Sequence, residues 1–209
     1  MKKILTTQEI ENVFSVFQKN YELVPLEVFG SDPYKTLIST VLSARTKDET
    51  TLEASKRLFK KAPNLTELSQ LYQNEISTLI FPVGFYKTKA KHLKELAHKL
   101  VENHNSTIPT TQAELLKLPG VGIKTANLTL NRAFGKPAIA VDTHVHRITN
   151  LLEWVKTDSP EQTEKALVKI IPSSYWSDMN RLFVSIGRQY TTFKRLKEFL
   201  TVNSLLPAD

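Results

Sequence analysis

Apolar positions along this chain recur at intervals of three and four, the spacing that lines one face of an α-helix. Ile10, Val13, Phe14 and Phe17 share such a face behind Thr6 and Glu9, which are spaced as a capping box. Asp32-Pro33 reads as an N-cap followed by proline at the first helical position, and Leu37, Ile38, Val41 and Leu42 continue the stripe. The same period predicts helices over Glu49–Lys60, Leu65–Tyr72, Asn74–Leu79 and Lys87–Glu102, the last burying Ala90, Leu93, Leu96, Ala97 and Leu100. Thr111 with Glu114 caps a short helix ending near Leu118, and Ile123–Phe134 forms the next. A short apolar stretch, Ala138–Val141, then leads to a helix starting near Asp142. Ser159-Pro160 opens another, with Gln162 completing a capping box, and Trp176–Tyr190 and Phe193–Leu200 end the series. The alternation of half-buried strands is missing, as are Asn-Gly and Asp-Gly turns, so the expected fold is all-α.

Charge and composition narrow the function. Among 209 residues, 28 Lys and Arg stand against 21 Asp and Glu, a formal +7. That surplus favours an anionic partner such as nucleic acid or an acidic membrane face, and fits equally a basic protein with no such partner. There is no cysteine, which excludes disulfides, thiol nucleophiles, and cysteine-ligated zinc or iron–sulfur clusters. Such a chain suits a reducing cytoplasm. Met1-Lys2-Lys3-Ile4-Leu5 begins like a signal peptide, but Thr6, Thr7 and Gln8 end the apolar run. No run approaches the roughly 18 apolar residues that span a bilayer, so a cytoplasmic protein without membrane contact is expected. His98, His104, His144 and His146 have unrelated contexts, and no metal-ligand cluster is expected from them.

The most informative stretch is Leu116-Lys117-Leu118-Pro119-Gly120-Val121-Gly122-Ile123-Lys124-Thr125-Ala126. Two glycines two apart, between helical patterns, allow a tight turn with positive φ and a close approach of another molecule. Free N–H groups there and in the following helix's first turn suit a phosphate, with Lys124 and Thr125 standing beside it. Read from the residues alone, the same turn also serves a structural corner between helices with a solvated lysine. Likewise Asp142, at a helix start, reads locally as an N-cap.

Leu-Pro-Gly-Val-Gly-Ile-Lys-Thr-Ala-Asn at 118–127, followed by Ala-Phe-Gly-Lys-Pro-Ala-Ile-Ala-Val-Asp-Thr-His-Val at 133–145, closely resembles endonuclease III of the helix-hairpin-helix DNA glycosylase superfamily. The similarity extends over roughly residues 30 to 190, through Pro33-Tyr34 to Leu42-Ser43-Ala44, through Gly84-Phe85-Tyr86-Lys87-Thr88-Lys89-Ala90, and to Gly187-Arg188. It implies a bifunctional DNA glycosylase/AP lyase of base excision repair, acting as a monomer on double-stranded DNA that carries a damaged base or abasic site. Oxidised pyrimidines are the expected substrates, and the protein would be cytoplasmic, on the nucleoid if bacterial or archaeal. The resemblance implies two helical domains flanking a DNA-binding cleft: a six-helix domain at 26–136, and a second built from 1–25 and 137–209.

By the same resemblance Lys124 is the nucleophile that attacks C1′ of the deoxyribose and forms a Schiff base, from which β-elimination breaks the strand. Asp142 would stabilise the cationic sugar as the base departs and help take a proton from the lysine. Leu118, Gly120, Val121, Gly122 and Thr125 would hold the DNA backbone, Phe85 would fill the space left by the flipped nucleotide, and Lys87 and Lys89 would contact phosphates. His144, beside Asp142, would line the cleft. The resemblance also allows a monovalent cation on the hairpin carbonyls; no other cofactor is expected. Phe85 as a core residue, and Lys87 and Lys89 as an ordinary solvated helix start, remain open on the residues alone.

Two departures bear on these expectations. Endonuclease III proteins typically end in four cysteines that hold an iron–sulfur cluster. Here Gln189-Tyr190-Thr191-Thr192-Phe193-Lys194-Arg195 follows Gly187-Arg188, and apolar packing by Phe193, Leu196, Phe199 and Leu200 is expected to hold that end. Family members also usually carry glutamine where Arg45 stands, near the orphaned partner base. Arginine there suits bidentate pairing with a guanine, and equally a phosphate or an internal carboxylate. Excision of another lesion such as oxidised guanine, and a non-catalytic DNA-binding module, are the alternative functions.

Overall fold

The structure is a computed structural model that describes residues 5–207. The basic opening read above, Met1-Lys2-Lys3-Ile4, lies outside the described residues. In chain order the helices are α1 (Thr7–Lys19), α2 (Pro33–Ser43), α3 (Asp48–Lys61), α4 (Leu65–Gln70), α5 (Gln73–Ile80), α6 (Tyr86–His104), α7 (Gln112–Leu115), α8 (Ile123–Phe134), α9 (Thr143–Leu151), α10 (Pro160–Ile170), α11 (Trp176–Gln189) and α12 (Phe193–Val202). Single turns of 3-10 helix at Pro25–Phe29 and Ser173–Tyr175 were not signalled by the apolar spacing. No strand occurs among the described residues, and the fold is all-α. The chain divides into two compact units, Pro25–Lys136 and the chain up to Val24 together with that from Pro137 onward.

In the Pro25–Lys136 unit α2 is the central helix, packed on α8, α3 and α6. Asp32 caps it by accepting from the Lys35 N–H at 3.0 Å. Its middle is buried on every side, which requires partners for polar groups as well as apolar neighbours. Ser39 and Ser43 meet that need by donating back to the carbonyls of Thr36 and Thr40. The Tyr34 hydroxyl donates to the Ala62 carbonyl at 2.6 Å, and burial first, then Asp32, pushes its pKa up. On α6, Ala90, Leu93, Leu96, Ala97 and Leu100 are fully buried in a stripe, and the helix packs on α4 and α5. Each buried leucine of that kind stabilises the fold by about 2 kcal/mol.

In the other unit α1 packs against α11. Phe17 meets Phe183 edge-on at 4.9 Å between ring centroids, and Phe14 lies 5.8 Å from the same ring. The Thr6–Glu9 capping box is formed in full. That of α10 is shifted: Ser159 accepts from the Gln162 N–H, but the Gln162 side chain accepts from the N–H of Asp158. Ala138–Val141 is buried and non-helical; the Asn180 side chain donates to the Ala140 carbonyl. At the end of the chain Leu196 and Leu200 are fully buried and Phe199 nearly so, whereas Phe193 is 63% exposed. Phe199 also stacks on Tyr190 at 4.4 Å. Phe193 is therefore not part of the packing expected there.

Candidate active site

The hairpin between α7 and α8 uses its glycines differently. Gly120 has φ +76°, and a Cβ there would stand 3.0 Å from His92 Nδ1 and 3.1 Å from His92 Cβ. Gly122 departs from the expectation of positive φ: its backbone is extended at φ −99°, ψ 179°. A Cβ on Gly122 would meet nothing within 4 Å. The first glycine thus answers to the fold, whereas the second leaves a bare surface just before α8. Gly120→Ala is expected to cost about 1–2 kcal/mol of stability and Gly122→Ala less than about 1 kcal/mol, read by urea denaturation. Equal losses would contradict this division.

The side chains of Leu118, Val121 and Thr125 are buried, so these residues can offer a surface ligand only backbone groups. The first turn of α8 has no side-chain cap, unlike α1, α2, α4, α7, α9, α10 and α12. Its N–H groups and the positive end of its dipole are therefore available to an anion. Lys124 stands in that turn, half-buried, and its ammonium has no hydrogen bond or ion pair among the described residues. Other lysines of the unit are engaged: Lys94 with the Ser69 and Leu71 carbonyls, Lys99 with that of Lys117, and Lys136 with that of Thr110. Part of the positive charge read from composition thus serves the fold.

Lys89 belongs to the engaged group. It is 7% exposed, and its ammonium donates to the Leu42 carbonyl at 2.7 Å, the Ala44 carbonyl at 2.5 Å and Thr46 Oγ1 at 3.2 Å. This corrects its assignment as a phosphate contact, because its donors face inward. Burial pulls its pKa down to about 8, which leaves the ammonium dominant at neutral pH, as three acceptors require. Lys87, by contrast, is exposed. Phe85 is 63% exposed and so is not core. Arg45 is exposed, has no ion pair among the described residues, and lies with its guanidinium 5.7 Å from the Phe85 ring centroid. An internal carboxylate is therefore not its partner.

In the second unit Asp142 is the N-cap of α9, and Oδ1 alone makes the cap. It accepts from the N–H groups of His144 and Val145, each at 2.9 Å. The other oxygen has no hydrogen bond among the described residues, so capping and chemistry do not compete for the same atom. His144 lies against α11, where a Cβ on Gly187 would come within 2.3 Å of its Nδ1. That packing gives His144 a definite structural role.

Arg147 is a residue the sequence reading missed. Its guanidinium donates to the carbonyls of Gly187 at 3.1 Å, Tyr190 at 3.0 Å and Thr191, while Nε is buried without a hydrogen-bond partner. Burial lowers its pKa, opposed by the charge of Asp142. The sequence offered no signal for it: its neighbours three and four positions away, Thr143, His144, Asn150 and Leu151, form no apolar stripe. Arg147→Met strands three carbonyls at the end of α11 and is expected to cost about 2–4 kcal/mol in chemical denaturation. A change below about 0.5 kcal/mol, the range of an ordinary surface substitution, would remove its structural role.

No group of His, Cys, Asp or Glu among the described residues is arranged to hold a metal ion. With no cysteine in the chain, the residues after Gly187 do not fit a cysteine-ligated iron–sulfur cluster. No helix of the described residues is long and apolar enough to cross a membrane.

A helical fold with a glycine hairpin feeding a lysine on an uncapped helix, and an aspartate heading another, defines a class. The chain belongs to the HhH-GPD superfamily of base excision DNA repair proteins, which it matches over residues 38–173. Within that superfamily it is similar to endonuclease III. The Thermotoga maritima enzyme is 49% identical over 159 residues, 76% of this chain and 75% of that protein. Bovine endonuclease III-like protein 1 is 42% identical over 75% of this chain, which spans about half (52%) of that longer protein. The structure of a trapped endonuclease III–DNA covalent intermediate superposes with a TM-score of 0.76 at 34% identity, covering 90% of this chain and 89% of the other.

Proposed function

We propose that this protein is a bifunctional DNA glycosylase/AP lyase that removes oxidised pyrimidines from double-stranded DNA and nicks 3′ to the resulting abasic site. The observation that carries the reading is Lys124, an unengaged amine at the start of an uncapped helix behind a hairpin with a bare glycine face. The hairpin N–H groups and first turn of α8 bind backbone phosphate, and Lys124 attacks C1′ of the flipped nucleotide. The C1′–N1 bond breaks, the base leaves with the electron pair and takes up a proton, and the sugar ring opens to an imine on Lys124. Loss of a C2′ proton then expels the 3′-phosphate by cleavage of the C3′–O bond. Asp142 offers its uncapped carboxylate oxygen to the positive charge that develops on the sugar.

Phe85, exposed at the head of α6, occupies the stack that the flipped nucleotide leaves, and Arg45 reads the orphaned base, with guanine as its bidentate partner. A guanine partner places a pyrimidine on the excised side, so that arginine supports the pyrimidine reading over the alternative, oxidised guanine. A non-catalytic binding module has less support, since binding phosphate does not need an amine kept clear of carboxylates and carbonyls. The deciding assay offers duplexes with an oxidised pyrimidine or an oxidised guanine opposite each normal base, in single-turnover excision. Release of the pyrimidine with strand nicking is the expected result. Excision confined to the purine would replace the substrate, and no excision from any duplex would remove the enzymatic reading.

A further inference from the structure

Two loops of the Pro25–Lys136 unit are tied together beneath Arg45 and Phe85. Thr46 Oγ1 is the knot: it accepts from the Lys89 ammonium at 3.2 Å and the Gly84 N–H at 3.1 Å, and donates to the Ala44 carbonyl at 3.2 Å. The loops touch so closely that a Cβ on Gly84 would come within 2.5 Å of the Arg45 carbonyl oxygen. Lys89 completes the tie by binding Leu42 and Ala44, the end of α2, from within α6. Above this knot Arg45 and Phe85 both hold left-handed backbones, at φ 52° and 57°, although neither is glycine. Such conformations persist only where surrounding contacts over-determine them, and they concentrate at functional sites. What they present here is an exposed aromatic ring with a guanidinium over one of its faces, an aromatic surface and a donor fork suited to a nucleobase.

We propose that Arg45 and Phe85 act as one preformed base-reading element, and that Lys89 is the positioning residue that holds them in register without touching DNA. This rests on the DNA reading above. It makes the affinity for a damaged duplex depend on a buried lysine whose donors all point away from the ligand.

The test is a double-mutant cycle on affinity for a duplex carrying a tetrahydrofuran abasic analogue opposite guanine. Arg45→Ala and Phe85→Ala are each expected to weaken binding about ten-fold, and the double variant at least about five-fold less than their product. In the Lys89→Met background that coupling should vanish, and the KM for nicking an abasic duplex should rise about ten-fold with kcat changed less than about three-fold. Thr46→Val, which removes the knot and keeps the lysine, should abolish the coupling as well, and carries the test if Lys89→Met does not fold. Additive losses in the parent protein, or coupling that survives in Lys89→Met (or in Thr46→Val where Lys89→Met does not fold), overturn the proposal. A parent protein that binds the abasic duplex no better than an undamaged one sinks the DNA reading itself, and this inference with it.

Discussion

Lys124→Ala is expected to abolish the covalent adduct that borohydride traps between this protein and an abasic-site duplex, and to slow base release by at least about 10³-fold. That loss corresponds to about 4 kcal/mol of transition-state stabilisation, a size reached by removing a group that forms a bond and out of reach for one phosphate contact. The variant should otherwise be intact. Lys124 is half-buried and its ammonium engages no group among the described residues, so its removal leaves no stranded partner. The midpoint of thermal unfolding is expected to move by no more than a few degrees. Binding to the tetrahydrofuran duplex should weaken modestly, by the share of one lysine near phosphate. An adduct of undiminished yield in Lys124→Ala would show that another amine forms the imine. Loss of adduct together with loss of binding would instead make Lys124 an anchor for DNA.

The parts of this protein that were legible in its sequence are those set by local rules. Helical period fixes which faces of α1 and α6 turn inward, and cap residues such as Thr6, Asp32 and Ser159 fix where helices begin. The hairpin was legible because glycine is the cheapest residue at a positive φ, as at Gly120. Gly122 has the same letter and a different reason, an absent side chain on an open surface, which spacing alone cannot separate from the first. Arg45 and Phe85 illustrate what stays hidden. Neither residue type announces a left-handed backbone, and the contacts that enforce it come from other segments. Lys89 reaches the Leu42 carbonyl from 47 positions away, and Arg147 reaches that of Gly187 from 40. At the sequence level both looked like charges of ordinary helices. Only the fold shows that their donors are needed to satisfy carbonyls at the ends of α2 and α11.

Asp142→Asn separates two functions that one side chain combines. Asparagine caps helices about as well as aspartate, and its single carbonyl oxygen can take the place of Oδ1 between the His144 and Val145 N–H groups. The atom that changes is the second oxygen, which carries no hydrogen bond among the described residues and becomes an amide that cannot stabilise a cationic sugar. Base release is therefore expected to fall by about 10²–10³-fold while affinity for the tetrahydrofuran duplex stays within about three-fold. Asp142→Ala removes the cap as well and should lose a further ~1 kcal/mol of stability, which separates it from the asparagine variant in denaturation but not in turnover. The charge change also reaches Arg147, whose protonated form Asp142 favours, so a small loss of stability in Asp142→Asn is consistent with the structure. Were Asp142→Asn to lose binding and turnover in equal measure, or to keep full activity, Asp142 would be a helix cap and no more. The sugar's charge would then need another partner.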